Sequence, residues 1–156
     1  MQLTLHTDYA LRVLIYLAQK DSELATISEI TDFYSISRNH LVKVVHHLAQ
    51  EDFIHTTRGK HGGMRLARAA ELISIGQVVR RMEPSFDLVE CFSNDNRPCT
   101  VIPICALKGV LQRAVSEFLA LLDQFTVADA VVQNQTTEQI FATSQLRNTD
   151  STKNKN

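Results

Sequence analysis

The sequence predicts a mainly α-helical chain carrying one small β-hairpin. Three observations predict it: apolar residues recur at helical spacing along most of residues 7–132, several of these runs open on a capping pattern, and one pair of short β-type runs brackets the glycine-rich stretch Arg58-Gly-Lys-His-Gly-Gly63. With 156 residues, 44% of them apolar, the chain can bury one core and carry one appendage. The formal charge of −1 leaves neither a polybasic arm nor an acidic tail. Glycine has no collagen-like period, and three cysteines are too few for a disulfide-stapled miniprotein. No apolar run approaches the roughly 20 residues of a membrane helix. The start Met-Gln-Leu-Thr-Leu-His lacks a basic flank and apolar core, so a soluble, cytoplasmic protein without membrane contact is expected.

The first helix is expected over residues 7–20, where Tyr9, Ala10, Val13, Leu14 and Leu17 share a face, Thr7 serves as N-cap and Asp8 complements the helix dipole. Thr26-Ile-Ser-Glu29 is a capping-box pattern that opens a short helix to about Phe33. Tyr34-Ser-Ile-Ser37 breaks it, and Ser37 caps a further helix with Leu41, Val44, Val45 and Leu48 on one stripe. Phe53–Thr57 and Met64–Ala67 read as the hairpin strands, the glycines between them supplying positive φ angles. Ser74 caps a helix that stops near Pro84. Beyond a loop from about Ser85 to Ile104, the residues Leu107, Leu111, Ala114, Phe118, Leu121 and Phe125 step by alternating four and three, a seam for helix–helix packing. Such a seam needs a surface on its own core or on another subunit. Thr126-Val-Ala-Asp129 opens one more helix, and the polar stretch 133–156 is expected to be disordered. The organisation that follows is a helical and hairpin domain over 1–83, a cysteine-bearing loop over 84–104, a pairing helix and its successor over 105–132, and a tail over 133–156.

Helix, short helix, break, helix and hairpin is the order of a winged helix-turn-helix. Between Phe33 and Ala70 six cations (Arg38, Lys43, Arg58, Lys60, Arg65, Arg68) face two acids, Glu51 and Asp52, and five of the six histidines lie there as well. A near-neutral chain has thus gathered positive charge in one segment, as phosphate binding requires. Ser28 on the short helix and Ser37, Arg38, Asn39, His40 and Lys43 at the start of the next would meet DNA, since Arg pairs with guanine and Asn with adenine in the major groove. Arg58, Lys60, His61, Gly62 and Gly63 form a slim cationic tip suited to phosphate or the minor groove. Capped helices and basic hairpins are common singly; the ordered set with clustered charge favours double-stranded DNA.

Cys91, Cys99 and Cys105 follow the spacing C-x7-C-x5-C in a loop that also holds Pro98 and Pro103. Thiolates on one such segment can wrap a metal centre, and the C-x2-C pairs typical of zinc are absent. Three thiolates leave an iron–sulfur cluster one ligand short, to be filled by another residue. Three unrelated reduced thiols remain the alternative at this point. No catalytic motif surrounds any of the three, so an enzyme is not expected.

With both parts in hand, the sequence resembles the NsrR-type nitric-oxide-sensing repressors, within the winged-helix iron–sulfur regulators that also include IscR. The likeness spans roughly residues 1–132 and is carried by MQLTLHTDYALRVLIYLA, YSISRNHLVKVVHHL, RGKHGGMRL, IGQVVRRMEP with LVEC, CTVIPICALKGVL and FLALLDQFTVADAV. It implies a homodimer on palindromic promoter DNA, with one cluster per subunit, [2Fe–2S] or [4Fe–4S], and nitric oxide as the signal. It also implies that Asp8 of the partner subunit joins the three cysteines. IscR-like members use a His three residues after the last cysteine, where this chain has Lys108. The seven residues between Cys91 and Cys99 depart from the family's commonly shorter interval. Two rival functions are a regulator of iron or iron–sulfur status and, from another class, a small iron–sulfur electron carrier.

Overall fold

The structure, a computed structural model, describes residues 2–20, 23–92, 99–101 and 104–131. Helices α1 (Leu5–Gln19), α2 (Ile27–Tyr34) and α3 (Arg38–Gln50) are followed by strands β1 (Ile54–Thr57) and β2 (Gly63–Leu66), helix α4 (Ile75–Met82), long helix α5 (Ala106–Leu122) and the single turn α6 (Val127–Ala130). Short 3-10 turns lie at Ala70–Leu72 and Glu90–Phe92. The expected winged helix-turn-helix is present. The tail 133–156 lies outside the described residues.

Helix α1 begins earlier than expected. Its N-cap is Thr4, whose hydroxyl accepts the Thr7 N–H; Thr7 lies inside the first turn, fully buried, with its own hydroxyl donated to Glu83. The capping box of α2 forms as the sequence requires, with Thr26 and Glu29 each satisfying the other's backbone N–H. Ser35, in the left-handed region at φ 54°, turns the chain sharply toward α3. Ser37 is the N-cap residue of α3 but makes no side-chain cap; its carbonyl takes the His40 and Leu41 N–H groups instead. Ser74 caps α4 through the Gln77 N–H, as expected.

The core is a three-helix stack under the hairpin. Ala10, Val13 and Leu14 of α1 meet Leu41, Val44 and Leu48 of α3 and Val78 of α4, all essentially without exposure. In the hairpin Ile54 stands opposite Leu66 and Thr57 opposite Gly63. Ala25 and Met64 exchange backbone hydrogen bonds of 2.9 and 2.8 Å, so the segment leading into α2 adds a third rung and locks the wing to the helices.

The end of α5 is pinned to the same unit. The Ile75 N–H donates to the Phe125 carbonyl and the Val127 N–H to the Ile73 carbonyl, each at 2.9 Å, and Arg80 grips the Asp123 carboxylate with both terminal guanidinium nitrogens, Nη1 and Nη2. That hydrogen-bonded cation holds Asp123 below the usual carboxylate range. Gly76 is required there: a Cβ on it would stand 2.2 Å from Asp123 Oδ1. No side chain of α5 is buried. The structure splits the expected seam: Leu111 and Phe118 are half-buried, whereas Leu107, Leu121 and Phe125 are exposed by 62%, 54% and 46%.

Candidate nucleic-acid interface and thiol segment

Helix α3 places four apolar side chains in the core, and at 100° per residue the opposite face carries Asn39, Lys43, His46 and Gln50, all exposed. Val42, exposed by 44%, flanks that face. Of these, only Asn39 and Lys43 are among the residues picked from sequence. His46, Val42 and Gln50 carry the same helical-phase signal but lie beyond the N-terminal turn of the helix. Arg38, also exposed, donates a hydrogen bond of 2.9 Å to the Ser28 hydroxyl, so Ser28 aims the guanidinium from the neighbouring helix. His40 lies on the flank toward α1, where with Lys43, Val44, Leu3, Leu5 and Tyr9 it lines an open cleft of about 560 Å³.

Arg58, Lys60 and His61 are exposed at the wing tip. The three glycines there serve different purposes. Only Gly59 uses a positive φ, 112°. Gly62 and Gly63 are needed for close approach instead: a Cβ would lie 2.3 Å from the Thr57 carbonyl oxygen at the first and 2.8 Å from that of Ala25 at the second. Arg68, counted with the cations of this segment, is spent inside the fold. Its guanidinium bonds the carbonyls of Leu72 and Asp52 and the Gln77 amide oxygen, and it lies 5.2 Å from the Phe53 ring centroid. The cations left facing solvent are Arg38, Lys43, Arg58, Lys60 and Arg65.

The thiols occupy the connection between α4 and α5. Cys91 sits half-buried in the second 3-10 turn, Cys99 is exposed, and half-buried Cys105 is the N-cap residue of α5, where the helix dipole favours an anionic ligand. All three are free of disulfides. Among the described residues, no three His, Cys, Asp or Glu side chains are gathered into a metal-binding group, so one chain does not bring the thiols and Asp8 together. The donor chemistry nevertheless fits an iron–sulfur cluster: three unpaired thiols on one segment, short of one ligand, and a carboxylate still 38% exposed in the first turn of α1. Asp8 is held in two-point contact by Arg12, at 3.1 and 2.8 Å, which raises the Arg12 pKa further above its ordinary value. The guanidinium carbon also lies 6.0 and 5.8 Å from the ring centroids of Tyr9 and Tyr34, tying α1 to the end of α2.

Two further groups went unseen in the sequence. Glu83, directly after α4, accepts from the Thr4 N–H, the Thr4 hydroxyl and the Thr7 hydroxyl. His6 Nε2 lies 2.9 Å from His47 Nδ1 on α3. Burial and then neighbouring His47 lower the His6 pKa, against an opposing pull from Glu83. These partners stand 41 to 79 residues apart, so no local pattern could have signalled them.

Residues 3–133 match the profile of a family described as Rrf2, iron-dependent transcriptional regulator. The chain is 52% identical over 136 residues to the HTH-type transcriptional regulator NsrR of Bacillus licheniformis, covering 86% of this chain and 94% of that protein. It is 48% identical over 132 residues to NsrR of Bacillus subtilis, covering 84% and 90%. Among solved structures, the fold is similar to T. potens IscR (TM-score 0.67, 21% identity, 83% of this chain and 85% of the other). It is also similar to oxidized Staphylococcus aureus CymR (TM-score 0.68, 24% identity, 86% and 99%).

Proposed function

Because the chain belongs to the Rrf2 family of transcriptional regulators, we propose that it is a nitric-oxide-responsive repressor that grips promoter DNA as a homodimer. In this reading Cys91, Cys99 and Cys105, with Asp8 of the partner subunit, hold an iron–sulfur cluster in each subunit. The observation that carries the reading is the presence in one chain of an outward-facing basic wing and recognition helix together with three free thiols. The relatives named NsrR, which the chain matches over nearly their whole length, support it.

When bound, the cluster supplies iron that nitric oxide can attack, with a carboxylate as its weakest protein link. The chain's own residues do the rest. Asp8 has a competing cation in Arg12 one helical turn away, so the carboxylate exchanges one partner for another without leaving α1. Arg12 leans on Tyr34, so its engagement bears on the helix-turn-helix. Asn39 and Arg38 offer adenine and guanine contacts in the major groove, and the wing cations carry phosphate or minor-groove contact. Two recognition helices about 34 Å apart would meet a palindrome with half-sites one DNA turn apart.

Arg58→Ala and Lys60→Ala are expected to weaken binding to all duplexes alike, each lowering the slope of log affinity against log salt by about one. Arg38→Ala should cost about 1–3 kcal/mol and relax sequence preference at one base. Fluorescence anisotropy across a salt series separates the two behaviours; a wing variant that changes sequence preference but not the slope contradicts this assignment.

The reading itself is tested by oxygen-free purification, iron and sulfide analysis, an absorption or Mössbauer spectrum, and titration with nitric oxide on labelled operator. Release from DNA as nitric oxide is added, blunted in Asp8→Ala, is the expected result. An iron-free, colourless protein that still occupies promoters normally ends the proposal. The family description, iron-dependent, favours a second reading, in which iron or cluster supply is the signal. Release on iron chelation with indifference to nitric oxide would select it.

A further inference from the structure

We propose that Glu83 is a positioning residue: its carboxylate seats the first turn of α1, and with it Asp8, against the end of α4, and the His6–His47 hydrogen bond extends that seat to α3. The proposal rests on the reading of Asp8 as a cluster ligand.

Glu83 is the first residue past α4, and Pro84 next to it opens the segment that carries the thiols. Its carboxylate accepts the Thr4 N–H and the Thr4 hydroxyl, each at 3.1 Å, and the Thr7 hydroxyl. A charge from 79 residues away thus completes the N-cap of α1. Negative charge is favoured at a helix N-terminus, and hydrogen bonds to an ionised acceptor are the strong ones. Thr7 has no exposed surface, so if Glu83 withdraws its hydroxyl is left with the Thr4 hydroxyl, 3.1 Å away, in place of a carboxylate.

Three consecutive residues then point to three different neighbours. His6 Nε2 is 2.9 Å from His47 Nδ1 on α3, Thr7 is bonded to Glu83, and Asp8 presents its carboxylate outward, its own N–H donated to the Thr4 carbonyl at 3.0 Å. A displacement of the thiol segment that draws on Glu83 therefore moves the turn bearing Asp8 and pulls on the recognition helix through one hydrogen bond. The exposed Asp8–Arg12 pair lies within α1 and cannot set that turn relative to α4.

The test uses the full chain with Glu83→Gln, which keeps the shape and removes the charge, Thr7→Val, which keeps the volume and removes the hydroxyl, and Thr7→Ser, which restores the hydroxyl. In iron-free protein, Glu83→Gln and Thr7→Val should each speed hydrogen exchange at the Asp8 amide by roughly tenfold and shift the His47 ring resonances, while Thr7→Ser does neither. In iron-loaded protein both should alter the same absorption and circular-dichroism bands as Asp8→Ala. The double variant Asp8→Ala with Glu83→Gln should then reproduce the Asp8→Ala spectrum. Unchanged Asp8 exchange and His47 resonances overturn the proposal, as do spectral effects of Asp8→Ala and Glu83→Gln that add. A wild-type chain that takes up no iron overturns the functional reading instead, and the exchange measurement still decides whether Glu83 seats the turn.

Discussion

Replacing Val110 and Leu121 of α5 with glutamate is expected to leave the chain folded and monomeric, with apparent operator affinity lowered by about 10²–10⁴-fold. Val110 and Leu121 are exposed by 63% and 54%, and with Leu107 and Ala114 they form an outer stripe on a helix with no fully buried side chain. The half-buried residues Leu111, Val115, Phe118 and Leu122 lie on the adjacent flank, about 80° round the helix, toward the chain's own 3-10 turn and α4. The two substitutions therefore remove no contact with the core. In the proposed homodimer, charge placed in an apolar pairing surface opposes association, and a single domain loses the avidity of two half-sites held together. Sedimentation equilibrium and anisotropy on a two-half-site duplex read both effects. A variant that still sediments as a dimer would show that the outer stripe of α5 is not the pairing surface.

Phe53→Ala is expected to cost about 3–5 kcal/mol of stability, the largest effect of any single truncation proposed for this chain. Phe53 is 1% exposed at the foot of the wing, its N–H is donated to the Leu48 carbonyl at 3.0 Å, and its ring lies under Arg68. Truncation leaves a cavity between α3 and the hairpin and strips the guanidinium of its apolar support, while the three hydrogen bonds of Arg68 keep it in place. Urea unfolding of the purified chain measures the cost. A loss under 1 kcal/mol would mean that the hairpin collapses onto the gap and that the wing is not rigidly seated.

The element order, the capping box at Thr26 and Glu29, the Ser74 cap and the exposed basic wing were all legible in the sequence. Each depends on residues within about one helical turn or one hairpin of one another, so spacing alone reports it. The start of α1 was not. Thr4 and Thr7 both suit an N-cap, and the choice between them falls to Glu83, which buries the second hydroxyl. Arg68 and Arg58 are alike as residues in a basic stretch; one is consumed by carbonyls of Asp52 and Leu72 and the other faces solvent.

What the sequence by itself determined about this protein is its set of helices and its hairpin, the gathering of cations into one segment and the confinement of its thiols to another. Only the tertiary structure decided which side of α5 its own chain covers, which cation is spent inside, and which carboxylate closes α1. Periodicity and capping are short-range and repeat along the chain, whereas the partners of Arg68, 4 to 16 residues away, and those of His6 and Thr4, 41 and 79 residues away, are selected by packing, which no local spacing encodes.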